Sequence, residues 1–134
     1  MATINAPSTA DIAYSGDCPL ANTHGYLAIS NAQIGDKIRL TKVYAGTKIY
    51  SAHFVNAALG ASTTLSLGYE FANGELAAQP AGLIPATSTA AAGVVRSAIA
   101  PIVLPYDAYI TATVGGAAAT GQLDTVVTYE FKNK

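Results

Sequence analysis

A chain of 134 residues with 51% hydrophobic and 11% charged residues and a formal net charge of −1 makes one domain. It is large enough to bury roughly two-thirds of the surface its unfolded form exposes. The charged fraction falls well under the roughly 25% usual in soluble domains, and the near-zero net charge supplies no field to draw in nucleic acid or an anionic membrane. A surface left to Ala, Thr, Ser and Tyr suits lasting contact with other proteins; the plainer reading is a soluble monomer.

Met1 to about Asp11 is polar, holds Pro7 and shows no periodicity. This predicts an extended N-terminal arm over residues 1–12 and a single β-sandwich domain over 13–134. The first residues lack the positive segment and apolar run of a secretory signal, and no run approaches the roughly 18 apolar residues of a spanning helix. Cys18 is the one cysteine, so an internal disulfide or a cysteine-based zinc site is not expected. It reads as an inert buried thiol in a protein made in a reducing cytoplasm.

Tyr26–Ser30 is a short strand candidate. Asp36–Tyr44 alternates, with Ile38 and Leu40 facing one way and Lys37, Arg39 and Thr41 the other. After Ala45-Gly46, Thr47–Ala58 reads as a long strand that puts His53 on the side of Ile49, Ser51 and Val55. In Thr63–Phe71, Leu65, Leu67, Tyr69 and Phe71 share a face, opposite Thr64, Ser66, Gly68 and Glu70. Asn73-Gly74 marks a turn. The Ala- and Pro-rich stretch from Glu75 to Thr89 reads as a long connection with one helical turn near Leu76–Ala78 or Gly82–Ile84. Gly93–Ala98 is a weaker strand, and Pro101 and Pro105 confine Ile102–Leu104 to an edge or a strand entrance. Tyr109–Val114 and Leu123–Phe131, joined through Gly115-Gly116 and Gly121, read as an antiparallel hairpin. Val126 is the one apolar residue expected on its outer face.

Seven or eight short strands with turn signals and little helix predict an all-β fold, an antiparallel jelly-roll-like β-sandwich. The connection over residues 72–93 suits a crossover between its two sheets.

Chemistry is sparse. His24, in a turn-like NTHG, and His53 are isolated and lack zinc-ligand spacing. There is no GxSxG, P-loop, GxGxxG or calcium loop. The carboxylates are scattered, and Glu70 and Glu130 read as outward solubilising charges. The chain is therefore read as a non-enzyme with no catalytic residues, no metal and no cofactor; a glycosidase-like reading would need a carboxylate pair in a cleft. One asymmetry stands out. Residues 36–48 carry Lys37, Arg39, Lys42 and Lys48 against Asp36, a net of +3, while the remainder carries −4. This is either a solvated edge blunted by lysines or a docking surface for an acidic partner. Eight tyrosines and no tryptophan add a modest interface signal.

The strings IGDKIRLTKVYAGTKIY, ALGASTTLSLGYEF and PYDAYITATVGGAAATGQLDTVVTYEF resemble the head decoration, or cement, proteins of tailed bacteriophages. The likeness covers about residues 34–131 and rests on strand wording and order, so it assigns no functional residue. It implies a jelly-roll virion protein, synthesised in the host cytoplasm, that binds the outside of the major capsid shell and stabilises it. The expected partners are the major capsid protein and further copies of the chain, as a dimer or trimer, with no nucleic acid and no membrane. The residues expected at the capsid contact are Ile4, Ile12 and Tyr14 of the arm and Lys37 and Arg39 of the basic strand. The alternative is a receptor- or carbohydrate-binding module of a phage tail or fibre, with Tyr106 and Tyr109 as a stacking platform.

Overall fold

Alternating apolar residues give each strand one face to bury, and two sheets bury those faces against each other. The computed structural model describes residues 20–131 as nine strands without a helix. They are β1 (Leu20–Ala32), β2 (Lys37–Val43), β3 (Thr47–Asn56), β4 (Thr64–Phe71), β5 (Gln79–Ser88), β6 (Gly93–Arg96), β7 (Ile102–Val103), β8 (Ala108–Gly115) and β9 (Ala119–Phe131). The arm with Ile4, Ile12 and Tyr14, and Cys18 after it, lie outside the described residues.

One sheet runs β1-β9-β3-β6, with β7 also on β3; the other runs β2-β8-β4-β5, and every pairing is antiparallel. Each connection crosses from one sheet to the other, except β4 to β5 and β6 to β7. That winding is the jelly roll. Its core holds Leu65, Leu67, Ile110, Val114, Leu123 and Val127 with Phe54, Leu83 and Leu104, all buried.

Three local expectations are corrected. First, β8 and β9 are not a hairpin: β8 pairs with β2 and β4, whereas β9 pairs with β1 and β3. Alternation on both sides of a glycine-rich turn suits a corner between sheets as well as a hairpin. The corner packs tightly, since Gly116 has φ +76 and a Cβ there would lie 2.0 Å from the Ser62 carbonyl oxygen. Second, the stretch read as a connection with a helical turn contains β5, whose Pro80 and Pro85 are tolerated because it is an edge strand. Its register jumps between Leu67↔Ile84 and Tyr69↔Gln79. The excess backbone folds over β4, where a Cβ on Gly68 would lie 2.0 Å from the Gln79 carbonyl oxygen.

Third, bulges reverse the facing of two strands. The break between Arg39 and Thr41 turns Thr41 away from Lys37 and Arg39, and its Oγ1 is buried without a hydrogen-bond partner among the described residues. The break between Ile49 and Ser51 sends Ile49 inward with Ala52 and Phe54, so His53 shares a side with Ser51 and Val55 but not with Ile49. A one-residue insertion inverts everything downstream of it, because the side-chain period is two. The short strand expected at Tyr26–Ser30 spans all of β1, since ten consecutive residues from Leu20 to Ile29 pair with β9 in unbroken register.

Candidate docking surface

The outer face of the β2-β8-β4-β5 sheet carries the basic strand. Ahead of its bulge, β2 alternates Ile38 inward with Lys37 and Arg39 outward. The ladders set three outward rows across the sheet: Lys37, Thr113 and Ser66; Arg39, Thr111 and Gly68; Lys42, Tyr109 and Glu70.

Glu70 reaches diagonally across β8. Lys37 Nζ donates to its Oε2, and Arg39 Nε donates to its Oε1 at 2.5 Å. Glu70 is only 9% exposed, unlike the solubilising charge expected at that position. Hydrogen bonding from Lys37 holds its carboxyl below the ordinary glutamate range; burial pushes the other way, and Arg39 adds to the lowering. Thr111 lies between Arg39 and Gly68 on β8 and is 1% exposed, which the charged side chains bridging above it account for.

Aromatic rings complete the patch. The Arg39 guanidinium sits 4.5 Å from the Tyr109 ring centroid, and Lys42 Nζ lies 5.6 Å from the Tyr44 ring and 5.9 Å from the Tyr109 ring. Each such contact is worth about 0.5–1 kcal/mol at an exposed site. Lys37, Arg39 and Lys42 around one carboxylate leave a net of two positive charges on a surface stiffened by mutual contacts. Such a face can orient against an acidic protein surface.

The structure thus brings Lys37 and Arg39 together with Glu70, Lys42, Tyr44 and Tyr109. Sequence reasoning missed Glu70 and the arginine over Tyr109, because the partners sit 31 or more positions apart, on strands whose adjacency only the topology creates. Of the expected platform of Tyr106 and Tyr109, Tyr109 lies under the Arg39 guanidinium, whereas Tyr106 is exposed and stands perpendicular to Phe71.

The opposite outer face, on β1-β9-β3-β6, differs in kind. His24 is not in a turn but inside β1, where its Nε2 lies 3.1 Å from Asp124 Oδ1 and its ring beside Tyr26. One row there reads His24, Val126, His53 and Arg96, and the next Tyr26, Asp124, Val55 and Val94. Tyr26, Val55 and Val94 are exposed, and the charges of this face, Arg96 and Asp124 with Lys48 and Glu130 in the row from Leu20, balance to zero.

Enclosed chemistry is scant. A cavity of about 170 Å³ lies between Thr23, Lys42, Val43, Tyr44, Thr47 and Tyr129, below the roughly 300 Å³ at which small-molecule sites begin. Among the described residues, no three His, Cys, Asp or Glu side chains group as metal ligands.

No protein-family model matches the chain, and no curated protein matches it in sequence. Solved structures share its fold. A chain of the cyanophage Pam1 capsid asymmetric unit superposes with TM-score 0.68 at 17% identity, over 98% of this chain and 99% of that one. A chain of the Ralstonia phage GP4 capsid gives 0.66 at 18% identity over 92% of both. One from the acid-stable capsid of Helicobacter pylori bacteriophage KHP30 gives 0.63 at 14% identity, over 85% of this chain and 89% of that one. At such identities the likeness is one of fold: the described residues form a jelly roll also found in phage capsid structures.

Proposed function

We propose that this protein is a structural component of a bacteriophage virion that binds the outside of the major capsid shell and stabilises it, as a decoration or cement protein. The observation that carries the reading is the whole-chain likeness to chains of phage capsid structures. A jelly roll with a charge-balanced face on one sheet and a small basic patch on the other supports work done by contact. In this reading the arm, through Ile4, Ile12 and Tyr14, supplies apolar anchors, while Lys37 and Arg39 orient the domain on an acidic shell surface.

Copy number and position in the particle test it. Virions of the encoding phage should contain the chain in numbers approaching the major capsid protein, and a cryo-EM map should show its sandwich outside the shell. A handful of copies confined to the tail would overturn the proposal in favour of a fibre module.

A further inference from the structure

A two-sheet sandwich has four edges, and three of these carry features that deter another strand. The β2 edge bears Lys37, Arg39 and Lys42 and is broken by a bulge. The β5 edge contains Pro80 and Pro85, which cannot donate to a ladder, and its register is irregular. Beyond β3, among the described residues, lie only the four-residue β6 and the two-residue β7, the latter between Pro101 and Pro105.

The fourth edge carries no charge and no proline, and its one register break lies at its far end, between Ile29 and Ala32. β1, LANTHGYLAISNA, is 13 residues long and contains no Asp, Glu, Lys, Arg or Pro. Among the described residues it pairs with β9 alone, on one side. Its register stays unbroken from Leu20 to Ile29, so the unpaired side offers a regular row of backbone donors and acceptors. Leu20, Tyr26 and Leu27 are exposed along it.

We propose that β1 is a self-association edge: two copies join β1 to β1, antiparallel across a two-fold axis, so that their β1-β9-β3-β6 sheets continue as one. The occupant is a second copy because symmetric pairing sets a strand against itself. Any charge on β1 would then meet its own like nearby, and like charges facing across a ladder oppose pairing. β1, free of both charge and proline, can bear this; the basic β2 cannot, and the prolines of β5 interrupt its ladder. Joining also merges the two outer faces around Tyr26, Val55 and Val94, each without net charge, into one surface. The proposal stands apart from shell binding and is tested without a shell.

The full chain is examined by sedimentation equilibrium over rising concentration, beside Tyr26→Lys/Ala28→Lys, whose positions are both exposed on β1. The wild type should form a dimer. The double variant should dimerise roughly 100-fold more weakly, because lysines on facing edges repel, with its β-sheet circular dichroism unchanged. Val94→Lys, on the far edge strand, should dimerise as the wild type does. Single cysteines at Asn22, His24, Tyr26 and Ala28 in a Cys18→Ser chain provide a check that does not need the lysine variant to fold. Intermolecular disulfide yield should peak at one position and fall on either side. A monomer at all concentrations, a trimer, a folded lysine variant that dimerises like wild type, or cross-linking without a maximum in β1 each overturns the proposal.

Discussion

Arg39 and Glu70 meet over a strand that belongs to neither: the Arg39 Nε donates to Glu70 Oε1 at 2.5 Å, while β8 separates β2 from β4. With Lys37 on the other carboxylate oxygen, this bridge ties three strands together above Thr111. Removing the acid leaves two cations crowded over a buried threonine. Glu70→Ala should therefore cost about 1–2 kcal/mol, toward the lower end for buried pairs because both cations are half in solvent. Urea denaturation at neutral pH measures it, and an unchanged midpoint would make the bridge a surface ornament.

The same group sets an acid dependence. Its carboxyl lies below the ordinary glutamate range, through Lys37 first and Arg39 after, against burial. A carboxyl that ionises more readily folded than unfolded stabilises the fold above its unfolded-state pKa, and that contribution drains away as pH falls through the folded value. Glu70→Gln should flatten the loss of stability on acidification below the ordinary glutamate range. Parallel wild-type and variant curves in that window would contradict the assignment.

Leu67 is fully buried at the centre of β4, between β8 and β5. Leu67→Ala should cost about 2–5 kcal/mol by lost burial and the cavity left behind. On the other face of the same strand, Gly68→Ala should cost about 1–3 kcal/mol for a different reason, overpacking. Its Cβ would collide with the Gln79 carbonyl at 2.0 Å, and β5 would have to lift. Denaturation midpoints give the magnitudes. Hydrogen exchange tells the two mechanisms apart, since only the glycine variant should selectively deprotect β5.

These contrasts show what the sequence could reveal. Strand facing was legible wherever alternation ran unbroken: Leu65 and Leu67, Ile110 and Val114, and Leu123 and Val127 all point inward as the pattern predicts. It failed just past Arg39 and Ile49, where a single bulged residue inverts the parity and leaves no mark in composition. Sheet membership was less legible still. Gly115-Gly116 permits a hairpin or a corner, and what selects the corner is distant packing against Ser62. The basic half of the candidate surface was visible as a run in one strand. Its acid was not, because a charge on an outward position reads the same whether or not two strands deliver partners to it.

The bridge changes how docking through the basic patch should be tested. Reversing Lys37 and Arg39 to Glu would set two new carboxylates beside Glu70 and damage the fold together with the contact. Lys42 offers a cleaner handle, since it touches Tyr44 and Tyr109 and makes no ion pair among the described residues. If the patch orients the protein on an acidic shell, Lys42→Glu should weaken binding to empty shells several-fold at low salt. The difference should shrink toward nothing at about 1 M salt, where the screening length falls to about 3 Å. Deleting residues 2–12 should instead weaken binding by a similar factor at every ionic strength, as apolar anchors of the Ile4 and Ile12 kind are not screened. Cosedimentation with shells across a salt series separates the two. If Lys42→Glu binds as wild type does at low salt, the basic patch does not touch the shell. The charge-balanced face of β1-β9-β3-β6 then becomes the surface to mutate, beginning with the exposed Val55 and Val94.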